Sequence, residues 1–373
     1  MDADVVVVGA GTAGSAALWR LAQRGVHAIG VEQFEPGHSQ GSGHGESRII
    51  RTAYHEDPAY VPLVRSAWQL WRSLESATAT SLLTRTGAVM VGPAHGELIT
   101  GVLDAVHTHN LPYEQLDQAA CRDRFPQHVL GMTEVAVVEP DAGFLRPELA
   151  IRTMAAAAVA AGATLSTGTP ARRVESVPGG VRVLLDRGAL TAKHVVICAG
   201  AWVGELLPLL RSALQVERQV QAWFPVRDRS LYAPERFPVF IRETDGHFLY
   251  GIPSPDGRAI KVGIHHEGVP TNPKTIDRSV SHADIATLTT FISQLLREVE
   301  PAAERATVCM YTNAPDGHFV IGAAPGFDNV TVVSACSGHG FKFAPVLGEI
   351  AADLAVDGRT RHPVALFDPG RLR

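Results

Sequence analysis

The first 32 residues constrain the fold most. Asp4 to Val8 is a β-branched run that ends in Gly9-Ala10-Gly11-Thr12-Ala13-Gly14. Ser15 to Arg24 follows with good helix formers and a polar end; Gly25 stops it, and Val26 to Val31 reads as a second strand closed by Glu32. Strand, GxGxxG turn, helix, strand and terminal acid together form a dinucleotide-binding arrangement. Gly9 makes the tight turn. Gly11 lets a pyrophosphate approach the helix N-terminus, where amide N–H groups and the dipole favour negative charge. Gly14 lets helix and strand pack closely, and Glu32 accepts from ribose hydroxyls. Thr12, Ala13 and Gln33 are expected beside them. A carboxylate at Glu32 argues against a 2′-phosphate and hence against NADP, leaving FAD or NAD. The N-terminal position of the fingerprint favours FAD, which distant segments would then wrap.

His38 to Arg51 reads HSQGSGHGESRIIR, with three glycines and two arginines. Such a stretch can be a flexible loop, or a loop that crosses the cofactor and presents cations. Gly41, Ser42 and His44 are expected cofactor contacts, and Arg48 and Arg51 offer donor forks suited to a carboxylate. If Ser47 to Arg51 begins a helical turn, the two arginines share one face.

Along the middle, Val61, Val64, Trp68, Trp71 and Leu74 recur at helical spacing. Leu98–Thr108, Asp117–Phe125 and Pro147–Ala161 also read as helices. Strands are expected over Thr86–Val91, Ala171–Val177, Gly180–Leu185 and Thr191–Cys198. The last runs into Ala199-Gly200-Ala201-Trp202, a small-residue end that suits either a second approach to the dinucleotide or any tight strand-to-helix turn. Strand-like runs then recur from Val220 to His266, punctuated by Pro and Gly, and Ala283–Val299 reads as a helix. The chain therefore opens as α/β and changes to an antiparallel sheet. The expected fold is α/β: a Rossmann-like FAD-binding domain plus an α+β substrate domain on an antiparallel sheet, with segments interleaved in sequence. The expected division is 1–85 with 145–215 and 315–373 for the cofactor, and 86–144 with 216–314 for the substrate.

The net charge of −5 shows no basic excess, so neither nucleic acid nor anionic lipid is an expected partner. No apolar run reaches membrane-spanning length. The start, MDADVVVVGAG, is acidic where a signal peptide is basic, so a cytoplasmic location is expected. Four scattered cysteines, Cys121, Cys198, Cys309 and Cys336, make neither a disulfide framework nor a metal motif; no metal site is expected.

The last third carries Thr307-Val308-Cys309-Met310-Tyr311-Thr312, a strand from Val330 to Cys336, and Ser337-Gly338-His339-Gly340-Phe341-Lys342-Phe343 opening a helix from about Val346 to Val356. A helix start beside a flavin stabilises negative charge on the reduced ring. Lys342 adds a full cation, and its place between two phenylalanines argues against a surface lysine.

The segments GAGTAG, GSGHGESRIIR, DAGFLRPELAIRT, ICAGAW, YGIP, IKVGIHH, CMYTNAPDGHF and SGHGFKFAPVLGEIAADLA together resemble the monomeric sarcosine oxidase and N-methyltryptophan oxidase family of flavin amine oxidases. The resemblance spans nearly the whole chain in family order. It implies FAD attached covalently to Cys309 as an 8α-S-cysteinyl thioether. It implies that Arg51 and Lys342 grip a substrate carboxylate and that Arg48 lies near the flavin. Lys261 would activate oxygen on the opposite flavin face, His265 would face the amine, and Tyr250 and Tyr311 would line the pocket. Gly9, Gly11, Gly14 and Glu32 match its nucleotide site. Val174, Ala199, Gly200 and Trp202, with Gly338, His339 and Gly340, complete the implied cofactor envelope.

Strand alternation agrees with part of this: Lys261, Gly263 and His265 share one face, leaving His266 outside. The implied reaction oxidises a secondary amino acid, N-methyl or cyclic, to an imine while O2 becomes hydrogen peroxide; the family's name implies a monomer. Gly317 stands where sarcosine oxidases carry Glu, and Gly322 replaces an acid, so substrate identity stays open. So do two other readings: a same-fold dehydrogenase or biosynthetic imine-forming oxidase, and a non-catalytic flavin-binding module.

Overall fold

The computed structural model describes residues 1–372 and contains three sheets. The first is organised by the β-branched run read from the N-terminus. Ala3–Val8 pairs in parallel with Ala28–Val31 on one side and Ala189–Ile197 on the other. Val5 to Val8 are at most 4% exposed, as a parallel strand covered on both faces requires. Thr164–Ser166 extends the sheet beyond Ala28–Val31. Ala189–Ile197 is shared along its length: its first half pairs antiparallel with Gly180–Leu185, its last residues parallel with Val330–Ser334. The final third of the chain thus returns to the sheet that the first residues began.

Helix Thr12–Gln23 packs against helices Pro147–Ala160 and Ala344–Asp357. The approach is close enough that a Cβ on Gly348 would strike the backbone of Ala16. The helix begins at Thr12, three residues earlier than the sequence reading placed it.

The second sheet has nine strands, in the order Val269–Pro270, Gln215–Pro225, Ala259–His265, His247–Pro253, Val239–Thr244, Ala88–Pro93, Glu134–Glu139 and Glu114–Leu116. Arg305–Asn313 pairs with the free edge of Gln215–Pro225. The pairs are antiparallel except Val239–Thr244 with Ala88–Pro93, which is parallel. A third, small sheet joins Arg48–Ile50, Gly143–Leu145 and Leu83–Arg85. No helix among the described residues is long and apolar enough to cross a membrane.

Two local expectations are corrected. Arg48–Ile50 is a strand, not a helical turn, because its backbone pairs with Gly143–Leu145. Side chains three apart on a strand leave opposite faces, so Arg48 and Arg51 part company. The helix expected over Ala283–Val299 is His282–Leu295, opened by a Ser281–Asp284 capping box. It stops early because Leu296 and Val299 form bridges with His128 and Val226 instead.

Candidate active site

The nucleotide turn is fixed by backbone sterics. Gly9 has φ +88°, and a Cβ there would lie 2.5 Å from the carbonyl oxygen of Cys198. A Cβ on Gly14 would overlap the carbonyl of Gly9, whereas one on Gly11 meets nothing within 4 Å. Gly14 is therefore a packing residue, and Gly11 faces open space in the cavity. Glu32 is buried and accepts from Ala10 N (2.7 Å) and Phe34 N (2.9 Å). Desolvation pushes its carboxyl above the usual range.

From this turn one cavity runs past Gly41, Ser42 and Arg48, and past Ala199, Gly200 and Trp202, to the strands of the second sheet. There the pairing register gathers the site. Phe248 lies opposite His265, Tyr250 opposite Gly263, and Ile252 opposite Lys261. The next strand sets Gln221 opposite Gly263 and Trp223 opposite Lys261. Beyond it, Gln219 faces Cys309 and Glu217 faces Tyr311. Directly opposed residues share a face, so one face of this sheet carries Lys261, His265, Tyr250, Cys309 and Tyr311. The absent side chain at Gly263 gives the Tyr250 ring its room. His265 Nδ1 lies 3.2 Å from Tyr311 Oη; burial holds His265 well below its ordinary pKa, hence neutral, and raises both phenols. His266 departs from the expected alternation: the strand ends at His265, His266 turns left-handed (φ +60°), and its exposed ring packs 3.9 Å from that of His265 and 5.7 Å from that of Tyr311.

Arg48 spans the gap between the cofactor loop and this face. It donates to Ser47 O (2.9 Å) and Ser42 O (2.9 Å), and its other contacts are Cys309 Sγ (3.5 Å) and Gln221 Oε1 (3.4 Å). Cys309 is 4% exposed and lines the cavity. Cys198 and Cys336 line it too, but desolvation pushes both thiols up, Cys198 to about 12.

Arg51 points the other way and is buried beside Lys342. It donates to Ala53 O (2.7 Å) and to both oxygens of Glu56 (2.5 and 2.7 Å), with its guanidinium 4.3 Å from the Tyr54 ring centre. Lys342 Nζ donates to His339 O (2.8 Å) and Tyr54 Oη (3.3 Å). The tautomer of His339 follows from its neighbours. Nε2 faces Gly317 O (3.0 Å), which can only accept, and burial drops the ring's pKa to about 3. Nδ1 therefore accepts from Tyr54 (2.6 Å), and the Tyr54 oxygen accepts from Lys342. Two of the three ammonium protons are engaged this way, and Lys342 lines the cavity.

Most of the expected residues line this cavity; four do not. Gly14 lies under the turn. Val174 packs in the core of the first sheet. His44 is buried with Nε2 unpartnered and its pKa lowered to about 3 by burial and nearby cations. Lys261 is buried, donating to Gly45 O (2.9 Å) and Ser47 O (2.5 Å). Tyr54, His55 and Glu56 were missed by the sequence reading. Their signal was position: an ionisable cluster directly after Arg51.

The cradle fits a flavin dinucleotide: it combines a bare turn at Gly11, an acid for ribose, and a second-sheet wall on which a thiol, two phenols and an imidazole converge. The FAD dependent oxidoreductase family matches residues 4–354. The chain belongs to that family. Among its relatives in this FAD-dependent oxidoreductase family, the monomeric sarcosine oxidase of Streptomyces avermitilis is 42% identical over 99% of this chain and 97% of its own length. The N-methyl-L-tryptophan oxidase of Yersinia pestis is 35% identical over the full length of both. Among solved structures, NikD, an unusual amino acid oxidase essential for nikkomycin biosynthesis, superimposes with a TM-score of 0.86 at 26% identity, over 98% of this chain and 97% of its own. The L-proline dehydrogenase of P. horikoshii shares the fold, with a TM-score of 0.84 at 21% identity over 99% of this chain and 97% of its own.

Proposed function

We propose that this protein oxidises a secondary amino acid, N-methyl or cyclic, to its imine and reduces O2 to hydrogen peroxide. The observation that carries the reading is the pair of buried cations, Arg51 and Lys342, in the same cavity as the nucleotide turn and the His265–Tyr311 pair. A redox module without an amino acid substrate has no need for two desolvated cations beside its flavin.

Gly9, Gly11 and Glu32 would hold the nucleotide end of FAD, and Cys309, flanked by Arg48, would tether the ring as a thioether. When bound, FAD supplies the two-electron chemistry: it takes a hydride equivalent from a carbon bonded to the amine nitrogen and passes the electrons to O2. Arg51 and Lys342 grip the substrate carboxylate by charge-assisted hydrogen bonds, for which Arg51 must release Glu56. Ile241, Phe248 and Ile264 line the cavity and exclude water from the substrate. His265, held neutral, leaves the substrate nitrogen its lone pair, and Tyr250 and Tyr311 orient the amine. Much of the rate comes from this positioning. Lys261 opposes the negative charge that develops on oxygen. The imine then hydrolyses to a primary amine and an aldehyde.

The reading keeps the interleaved division, with 1–85, 145–215 and 315 onward holding the cofactor and 86–144 with 216–314 holding the substrate. It takes the protein to be a cytoplasmic monomer. The test is anaerobic mixing of the flavoprotein with sarcosine, N-methyl-L-tryptophan or pipecolate, followed by oxygen. Bleaching of the flavin by at least one of them, with one peroxide per turnover on reoxidation, is the expected result. Absence of bleaching with every secondary amino acid would leave the non-catalytic reading in place.

A further inference from the structure

Lys261 is seated by a backbone turn rather than by a side chain, and that turn has its own anchor. Gly45 and Glu46 are both in the left-handed region, at φ +96° and +67°. A non-glycine residue there is strained, and the strain persists only where its surroundings over-determine it. The anchor is Glu148, at the second position of the Pro147–Ala160 helix. Its Oε1 accepts from Gly45 N (2.6 Å) and Glu46 N (3.1 Å), and its Oε2 also faces Glu46 N (3.2 Å). Successive amides converging on a carboxylate form an anion nest. The carbonyls of the same turn serve Lys261, whose ammonium takes Gly45 O and Ser47 O. The turn is therefore held between a carboxylate on its N–H side and a buried cation on its C=O side.

Charge points the same way. Burial first and Arg48 second hold the Lys261 ammonium well below the usual lysine range, and Cys309, Glu148 and Glu46 oppose that fall. Glu46 is itself engaged by Arg305 (2.6 Å), whose guanidinium stacks 3.9 Å from the centre of the Trp223 ring. Arg48 depends less on the turn than Lys261 does, because it has a second carbonyl anchor at Ser42 O.

We propose that Glu148 is a positioning residue of the oxygen half-reaction, acting through the 45–47 turn that seats Lys261. The proposal rests on the reading that Lys261 serves O2. In that half-reaction two electrons and two protons pass from the reduced cofactor to O2, giving hydrogen peroxide. Lys261 offsets the charge on oxygen only while it is both protonated and correctly placed. Without Glu148 the Gly45 and Glu46 amides lose their acceptor, the left-handed turn keeps only the Arg305–Glu46 pair and the Ser47 N–Gly45 O bond beside Lys261 itself, and the ammonium loses a countercharge.

The experiment compares Glu148→Gln, Glu148→Asp and Lys261→Met with the parent holoenzyme. Hydrogen exchange at the Gly45 and Glu46 amides, read on the resting protein, should rise about tenfold or more in both Glu148 variants. Stopped flow should show flavin reduction within about threefold of the parent, and reoxidation slowed on the order of ten- to a hundredfold. Unchanged exchange and reoxidation in the Glu148 variants, with Lys261→Met slow, overturns the proposal alone. Equal slowing of both half-reactions, or loss of FAD from both Glu148 variants, overturns it in favour of a purely structural role. Normal reoxidation in Lys261→Met removes the reading on which it stands.

Discussion

If Lys342 grips a carboxylate, anion binding should follow its protonation, and the structure says where that occurs. Burial pulls the lysine down first, Arg51 pulls it further, and Glu56 opposes; the outcome is about 7. Most surrounding groups titrate outside this window; the exception is Glu139, a buried carboxyl coupled to Arg51 that desolvation pushes up to about 7. His339 is held near 3 and His55 near 4, His265 lies well below the ordinary histidine range, and Glu56 well below the ordinary carboxylate range. Tyr54 and Arg51 are raised. Between about pH 5 and pH 9 Lys342 is thus the cation beside Arg51 whose charge changes, while Glu139 gains its negative charge in the same range; Lys342→Met separates the two. Its pKa is depressed, so the ammonium is present below the midpoint and lost as pH rises through it. At roughly one pH unit above the midpoint about one molecule in ten keeps the charge. The Kd for a carboxylate without an amine should then be flat on the acid side and rise about tenfold per pH unit above 7. Acetate suits the assay: it has no titrating nitrogen, and its binding can be read from the flavin spectrum. Lys342→Met should weaken binding at low pH and abolish the rise. A flat profile through pH 9 in the parent protein, or a break that survives in Lys342→Met, would refute the assignment.

Cys309→Ser should release its flavin into the supernatant on acid precipitation, while Cys121→Ser, at a buried thiol outside the cavity, should keep a yellow pellet as the parent does. Glu56→Gln removes the carboxylate that occupies Arg51 in two hydrogen bonds; breaking such a charge-assisted pair costs about 1.5–3 kcal/mol. Part of that returns as hydration, so acetate should bind about tenfold more tightly, and weaker binding would count against Arg51 as the anion site. Gly14→Ala places a methyl on the Gly9 carbonyl; FAD content and thermal stability should both collapse, and a flavin-loaded variant with parental Tm would show that the turn yields.

The resemblance to flavin amine oxidases was legible because its motifs are short and contiguous. Several expected roles also followed from local rules. Alternation alone puts Lys261 and His265 on one face; His266 escapes the rule because the strand ends before it and its backbone turns left-handed. Within the strand the rule holds, since the period is two whatever the strand pairs with. The helical turn expected at Ser47–Arg51 failed for the opposite reason. Its partners, Gly143–Leu145, lie about a hundred residues away, and pairing overrode local preference. Glu56 and Tyr54 went unread because a short polar run announces no partner; only the fold brings them against Arg51 and Lys342.

The sequence by itself determined the nucleotide cradle. Strand, glycine turn, helix and Glu32 lie within 32 residues, and Gly14 answers a steric demand set within the turn itself, by the Gly9 carbonyl. Tertiary structure alone decided the state of the cations. Lys342 reaches Tyr54 across 288 positions and Lys261 reaches Gly45 across 216. Whether a buried ammonium stays charged depends on which carbonyls and carboxylates the folded chain sets beside it, and no local pattern encodes that sum.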